Sequence, residues 1–193
     1  FGDNGVFYVS YYDTNVGTHN VVYTDIESAD NYDNIYQSDE LGWTGKIGYN
    51  QDSAYFANVY TTNKDEILKS VGFYAIGEDT EYEVYFIENF QGTESFNTKR
   101  LAAKGLLKNA GYYTIKLNDD LIMKKDIKYA VVVYIKTPNS VHPVAVECKT
   151  DVTTDVVIDD GEGYISANGR SWERVEETQN CNICLKFYTD DME

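Results

Sequence analysis

The sequence is poor in proline, cysteine and histidine, with two Pro, three Cys and two His among 193 residues. So few prolines leave no Pro-rich linker, and three cysteines allow at most one disulfide with one thiol left free. No apolar run approaches the roughly 20 residues that a membrane-spanning helix needs. The sequence therefore predicts a chain that is not inserted in a membrane and is not built mainly on disulfides.

Basic residues are also scarce, because 16 Lys and Arg stand against 32 Asp and Glu, which gives a formal net charge of -16. Such a charge repels phosphate backbones and anionic lipids, so a role on nucleic acid or on a membrane surface is disfavoured. The composition is nevertheless 42% hydrophobic and 15% aromatic, which is enough for a core and excludes wholesale disorder.

Period-two alternation of apolar and polar residues dominates the pattern, and turn-forming residues separate the alternating segments. The segments lie at residues 6–12, 55–62, 71–76, 81–88, 112–117, 129–136, 144–148 and 181–188. Many short strands joined by close turns predict an all-β fold, an antiparallel β-sandwich or jelly roll. Residues 129–136 are apolar on both faces, which predicts a central strand covered on both sides.

Other parts of the chain lack this alternation. Residues 99–107 are interpreted as one short turn of helix, and residues 64–70 as a loop or a lead-in to a strand. Residues 28–48 are rich in Asp, Asn and Tyr and are predicted to form an irregular connector. The predicted organisation is a β-rich segment at 1–27, the connector at 28–48 and the sandwich at 49–193.

The motifs that enzymes use are missing from the sequence. It contains no G-x-S-x-G, no P-loop and no G-x-G-x-x-G. The two histidines, His19 and His142, have no nucleophile motif beside them, so both are interpreted as structural. We therefore expect no catalytic residue in this chain.

Acidic and amide side chains cluster in the connector, where the candidate metal ligands are Asp30, Asp33 and Asp39. Ca²⁺ takes six to eight oxygen ligands, which loops of a sandwich can supply from separate segments. A structural calcium ion is therefore a hypothesis, and a solvated acidic surface is the alternative.

Aromatic side chains provide candidate sugar-binding positions, namely Trp43, Trp172 and Tyr164. Aromatic faces stack on pyranose rings while nearby Asp, Asn or Glu oxygens bind hydroxyl groups. Trp172 follows an Asn-Gly turn, so its alternative role is to hold a hairpin onto the core.

The three cysteines are Cys148, Cys181 and Cys184. The C-x-x-C spacing of the last two has no second ligand pair that would complete a zinc site, so structural thiols are predicted. A disulfide from Cys148 to either of the other two is compatible with the count, and the sequence leaves that choice open.

Residues 1–13, which begin Phe1-Gly2 and continue through Val9 to Asp13, resemble the end of a papain-like cysteine protease domain. Residues 1–27 are accordingly expected to be the C-terminal remnant of such a domain. The catalytic residues of that family would lie upstream, so the chain is expected to be a processed or excised piece that lacks them. The rest resembles the lectin-like domain that follows the catalytic domain in secreted, cell-wall-associated proteases of Gram-positive bacteria. That resemblance rests on residues 31–33, 36–37, 55–60, 71–74, 81–85, 111–115, 163–166, 169 and 172.

The resemblance implies a lectin-like β-sandwich, a bound calcium in some members and a non-catalytic role beside a protease at the cell surface. The implied partners are cell-wall glycan or protein substrate, together with the upstream protease domain. The alternative is a purely structural domain that contacts the protease and has no affinity for sugar. A hydrolase in its own right is the last of the three hypotheses.

Overall fold

The computed structural model describes residues 6, 8–16, 18, 21–24, 26–151, 153–158 and 162–192. The chain divides into two compact units, residues 1–31 and residues 32–193.

Among its described residues the first unit contains no strand, only a single bridge at Val6. Its described structure is made of turns, such as the one closed by a 3.0 Å bond from Asp13 N to Ser10 O. The prediction of a strand over residues 6–12 is therefore wrong for its described part, since a strand needs a continuous ladder with a partner. Phe1 to Gly5 and Phe7 lie outside the described residues.

The described residues of the second unit form 13 β-strands, one short helix and one 3₁₀ turn at Thr93–Thr98, joined by loops. In chain order its elements are β1 (Asn34–Tyr36), β2 (Gly45–Ile47), β3 (Ser53–Thr61), β4 (Glu66–Ala75), β5 (Thr80–Ile87), β6 (Arg100–Leu107), β7 (Gly111–Met123), β8 (Lys128–Lys136), β9 (Val144–Cys148), β10 (Gly163–Ser166), β11 (Glu173–Arg174), α1 (Val175–Gln179), β12 (Cys181–Ile183) and β13 (Leu185–Asp191).

The strands form three antiparallel sheets, with the orders β11-β10-β3-β8-β5-β6, β1-β13-β4-β7 and β12-β9-β2. Residues of all three sheets meet in one hydrophobic core, in which Phe56 of β3, Phe73 of β4 and Ile183 of β12 are buried. Alternate residues of each strand face this core, as period-two patterning requires. The structure thus confirms the predicted antiparallel β-sandwich.

Strand β8 is the central strand of the largest sheet, between β3 and β5. Val131, Val132 and Val133 are consecutive and fully buried, so this strand is covered on both faces. A second, smaller hydrophobic cluster covers its outer face, as the unbroken apolar run predicted.

Residues 99–107, interpreted from the sequence as a turn of helix, form strand β6 instead. Their helix-forming Leu and Ala residues pair with β5 at the sheet edge, for example Ala103 opposite Val84. Ala102 and Ala103 become buried in this way, so tertiary pairing outweighs local helix propensity.

Residues 181–188, predicted as a single strand, are divided between β12 and β13, which belong to different sheets. The chain changes sheet at Cys184, and the carbonyls on either side of it, of Ile183 and Leu185, accept bonds of 3.2 and 2.8 Å from Asn58 Nδ2. The buried Asn58 amide therefore satisfies backbone groups that the break leaves without a ladder partner.

Residues 28–48, predicted as connector, contribute β1 and β2 to the sheets.

Candidate functional site

The outer face of the six-stranded sheet carries an aromatic cluster above the Ala and Val residues of β3 and β8. Its centre is Phe96, which the 3₁₀ turn at Thr93–Thr98 places over the sheet. Tyr164 and Trp172, two of the three predicted sugar-binding residues, both contact Phe96. The structure therefore brings these two residues together around one buried ring.

Trp172 stacks on Phe96, with ring centroids 4.1 Å apart and planes 27° from parallel. Its indole Nε1 is buried and has no hydrogen-bond partner in the described chain. An indole N–H in that position cannot meet a ligand at the surface without a rearrangement. Trp172 is accordingly placed to cover Phe96, which corresponds to the hairpin-holding role.

Tyr164 lies at the edge of a cleft, which we call the Tyr164 cleft, with a volume of about 470 Å³. The lining residues are Asn89, Phe90, Gln91, Gly92, Asp126, Ile127, Lys128 and Tyr164. They come from the loop after β5, the turn before β8 and the start of β10. The volume falls within the range of about 300–1,000 Å³ that is typical of small-ligand sites.

Backbone geometry fixes the two loops that shape this cleft. Asn89 and Asp126 adopt left-handed conformations, with φ of 53° and 60°, which Asn and Asp tolerate better than other non-glycine residues. The loops are tied to each other by a 2.7 Å bond from Phe90 N to Lys128 O. The cleft is therefore held by backbone hydrogen bonds and does not depend on side-chain contacts alone.

Polar side chains in the Tyr164 cleft are available to a ligand. The Asp126 carboxylate and the Lys128 ammonium are exposed and have neither an ion pair nor a side-chain hydrogen bond among the described residues. Gln91 Nε2 donates to Asn89 Oδ1 over 2.6 Å, which leaves the other amide groups of both side chains open. A tyrosine hydroxyl has an ordinary pKa of about 10 and is protonated at neutral pH, and burial raises the pKa of Tyr164 further, so this hydroxyl can donate. The cleft thus combines a half-buried aromatic side chain with hydrogen-bond donors and acceptors.

A second aromatic surface, which we call the tyrosine strip, lies on the outer face of the β1-β13-β4-β7 sheet. Its rings follow one another in the order Tyr32, Tyr188, Tyr112, Tyr74 and Trp43. Ring centroids are 5.0 Å apart for Tyr32 and Tyr188, 4.9 Å for Tyr74 and Tyr112, and 5.7 Å for Trp43 and Tyr74. The third predicted sugar-binding residue, Trp43, lies in the loop between β1 and β2 and packs on Tyr74 of a different sheet from the one that carries the other two.

Gly72 explains how the middle of the tyrosine strip is formed. The Tyr112 and Tyr188 hydroxyls are 2.5 Å apart, and a Cβ built on Gly72 would lie 1.9 Å from Tyr112 Oη. The two rings therefore close over a position that has no side chain. Burial raises the pKa of Tyr188, and that of Tyr112 still further.

The three candidate calcium ligands are in different surroundings. Asp30 belongs to the unit 1–31, where it accepts a hydrogen bond from Ser28. Asp33 Oδ2 accepts a 2.9 Å bond from Asp191 N, and Asp39 Oδ2 lies 2.9 Å from Lys186 Nζ. Asp39 is a poor candidate for a calcium ligand, because the Lys186 ammonium already balances its charge.

The described residues contain no group of three or more His, Cys, Asp or Glu side chains that could hold a metal ion. Calcium also accepts backbone carbonyl and amide oxygens as ligands. A bound calcium therefore stays a prediction.

Sequence reasoning missed the polar residues of the Tyr164 cleft, namely Asn89, Gln91, Asp126 and Lys128. Each of them lies at or next to the end of a predicted strand, in or beside a short polar turn. Many sandwiches contain such turns, so the sequence gives no signal that distinguishes these. Their proximity follows from the position of β8 next to β5 in the sheet. Alternation gives the strands and leaves their order undetermined.

Comparison with known proteins defines the class to which this sandwich belongs. The family model described as "Lectin like domain" matches residues 35–189, so the chain belongs to the lectin-like domain family. No curated protein matches the sequence.

Two solved structures similar to this chain are of Cwp84. One is the clostridial cysteine protease Cwp84 after propeptide cleavage, with a TM-score of 0.69 and 28% identity over 82% of this chain and 40% of that one. The other is of the cysteine protease and lectin-like domains of Cwp84, a surface layer associated protein of Clostridium difficile. It has a TM-score of 0.61 and 27% identity, and covers 73% of this chain and 33% of that one. This chain thus spans less than half of either.

These matches bear out the resemblance to the lectin-like domain of a bacterial surface cysteine protease. Within the described residues, no helix is both long and apolar enough to cross a membrane.

Proposed function

We propose that this chain is a non-catalytic accessory domain that binds glycan in the Tyr164 cleft and positions a cysteine protease at the cell surface. The observation that carries the proposal is the combination of Tyr164 with the unpartnered Asp126 and Lys128 side chains around one cleft.

Sugar recognition needs an aromatic face for the apolar side of the ring and polar groups for its hydroxyls. A carboxylate such as Asp126 accepts two hydroxyl hydrogen bonds, and an ammonium such as Lys128 donates to ring or hydroxyl oxygens. Because neither charge is engaged within the described protein, a ligand does not have to break an ion pair in order to bind. The site therefore suits a neutral or zwitterionic saccharide.

Positioning beside a protease is supported by the two Cwp84 structures. Cwp84 is a surface layer associated protein with a cysteine protease domain and a lectin-like domain. By analogy, this chain would act at the cell surface and keep a protease domain near its wall or protein substrate. The origin of residues 1–27 in a protease domain belongs to the same proposal.

The experiment is retention of the full chain on immobilised bacterial cell-wall polysaccharides, compared with Asp126→Asn and Tyr164→Ala variants. We expect the wild type to be retained and both variants to elute early. Trp43→Ala is the matched control, since Trp43 lies outside the Tyr164 cleft, and it should be retained like the wild type. If none of the polysaccharides retains the wild type at millimolar saccharide concentration, the proposal is wrong.

A second candidate function is protein contact without sugar affinity, and the tyrosine strip favours it. Ile35 lies directly opposite Tyr188 on the same face, and Ile35 and Trp43 are 56% and 42% exposed. Exposed apolar residues beside Tyr and Trp rings are typical of protein interfaces. The partner would be the protease domain itself.

Sedimentation velocity of the chain mixed with a separately produced cysteine protease domain of this family tests the second candidate. An Ile35→Asp variant should lose the association, while Asp126→Asn should keep it. If both variants associate as the wild type does, the tyrosine strip is not the contact.

We propose calcium only as an ion that stabilises the fold, with no part in glycan binding. Ligand linkage predicts stabilisation of about 2.7 kcal/mol at a hundredfold excess of calcium over its Kd, hence a rise in Tm of several degrees. A thermal melt in calcium and in EDTA measures it, and identical melts would exclude the ion.

A further inference from the structure

Cys148 and Cys181 are directly opposite residues of the antiparallel pair β9 and β12. Lys149 N, one residue after Cys148, donates a 3.3 Å bond to the carbonyl of Asn180, one residue before Cys181. In an antiparallel ladder this flanking bond marks the residues inside it as a non-hydrogen-bonded pair, whose side chains approach most closely. The bond from Cys184 N to Ala145 O, at 3.3 Å, has the same relation to the pair Ile183 and Val146, which confirms the alternation.

The spacing of such a pair suits a disulfide. Opposite Cα atoms at a non-hydrogen-bonded position are about 4.5 Å apart, and disulfides are accepted for Cα separations of about 4.4–6.8 Å. Burial, followed by contact with Cys148, raises the pKa of the Cys181 thiol, which donates to Gln179 O at 3.1 Å. Gly45 on β2 leaves free the space beside the Cys148 sulfur, since a Cβ there would come within 2.7 Å of it.

The position of Cys184 beyond the end of β12 excludes it as the disulfide partner of Cys148. Three residues after Cys181, it follows the end of β12, and its thiol interacts with Asp39 instead of with the other two cysteines. Burial raises the thiol pKa of Cys184, as it does that of Cys181, so strand position and not acidity separates the two.

We propose that Cys148 and Cys181 are a modification site, at which a low-molecular-weight disulfide closes a cross-strand bond between β9 and β12 while Cys184 stays reduced. The proposal rests on strand register and is independent of the proposed glycan binding.

The reaction is a two-step exchange. Cys148, the half-buried and therefore more accessible thiol, attacks the small disulfide as its thiolate, forms a mixed disulfide and releases one small thiolate. Cys181 then attacks the Cys148 sulfur as its thiolate and releases the second. The two protons lost by the cysteines end on the two small thiols, so one external disulfide is reduced for each protein disulfide formed.

The bond would close the loop between residues 148 and 181, which carries β10 and α1. Restriction of that loop in the unfolded chain stabilises the fold and should raise Tm by about 10 °C. A cell-surface location, as proposed above, would provide the oxidising surroundings in which such bonds persist.

The test is incubation of the full chain with oxidised glutathione, followed by thiol counting, acid quenching and peptide mapping. We expect two of the three thiols to disappear, a peptide that links Cys148 to Cys181, and a higher Tm. Cys184→Ala is the matched control and should give the same linked peptide. Cys148→Ser and Cys181→Ser should form no internal bond.

Three results would overturn the proposal. They are an unchanged thiol count after oxidation, a linked peptide whose fragmentation places the bond on Cys184, and glutathione that stays on Cys148 without closure. Buried thiols of a folded variant react with a thiol reagent only after denaturation, so comparing the counts before and after denaturation recognises a variant that fails to fold. The wild-type peptide map then still decides.

Discussion

The Asp39 carboxylate and the Lys186 ammonium form a buried ion pair, with Oδ2 and Nζ 2.9 Å apart and side-chain exposures of 0% and 14%. Lys186 Nζ also donates to the Asp39 carbonyl at 3.1 Å and to Gln37 Oε1 at 2.9 Å. The pair therefore fastens the segment between β1 and β2 to strand β13. It also places a compensated charge under the tyrosine strip.

Replacement of Lys186 by Met should destabilise the fold by about 3–5 kcal/mol, because it leaves the buried Asp39 charge without a partner. Burial already raises the pKa of Asp39, while Lys186 opposes that rise. A raised carboxyl pKa gives stability that is present at low pH and lost as pH rises through the folded pKa. The loss in Lys186→Met should therefore be larger at pH 8 than at pH 4.

Urea denaturation at the two pH values measures this effect. Lys124→Met is the matched control, since the Lys124–Asp65 pair at 2.7 Å has both side chains largely exposed, and we expect it to cost little. A Lys186→Met variant as stable as this control would show that Asp39 is not held as a buried charge.

Gly72→Ala should destabilise the protein by about 1–3 kcal/mol, because the new methyl group must displace the Tyr112 ring. The added Cβ would lie 1.9 Å from Tyr112 Oη and 2.9 Å from Tyr188 Cε2. In a Gly72→Ala, Tyr112→Ala double variant the two costs should not add, since the clash is then removed. Chemical denaturation of the single and double variants checks this, with Thr114→Ala as a neighbouring control. Simple additivity would contradict the described contact.

Tyr49 offers a test at alkaline pH. Burial, followed by the charge of Glu173, raises the pKa of Tyr49 to about 12, and its hydroxyl donates to Glu173 Oε1 at 3.2 Å. The stability that this group contributes is present below its unfolded pKa of about 10 and is lost as pH rises from there to its folded value. In Glu173→Gln the Tyr49 pKa should move down toward its ordinary value. Phenolate absorbance, with Tyr49→Phe subtracted, measures the shift, and identical titrations with and without Glu173 would contradict the pairing.

The sequence predicts the strands of this fold well where burial alone determines them. The run of valines in β8 is covered on both faces, as its unbroken apolar character indicates. Strand β7 continues to Met123, beyond the predicted segment 112–117. The alternation ends at Asn118, Asp119 and Asp120, which are polar and exposed on this edge strand, so the pattern does not show that the strand goes on. Strand β6 forms from good helix formers, since the edge of β5 offers a ladder that a local pattern does not contain.

The candidate site is less predictable than the strands. Tyr164 and Trp172 meet around Phe96 because β10 pairs with β3 and the 3₁₀ turn covers that face. Trp43 looks equivalent in sequence, yet it is a loop residue that packs on Tyr74 of another sheet. Strand order is set by contacts between residues far apart in the chain, and neither composition nor period contains that information.

Isothermal titration of the full chain with the best-retained cell-wall saccharide measures glycan binding in the Tyr164 cleft. We expect saturable binding to the wild type and to Trp43→Ala, with affinity about tenfold weaker in Asp126→Asn because one charged hydrogen bond is lost. Asp126 is exposed and unpartnered in the described chain, so this variant should fold like the wild type. Equal affinity in Asp126→Asn and the wild type, or no heat of binding to any of the saccharides, would contradict glycan binding in the Tyr164 cleft.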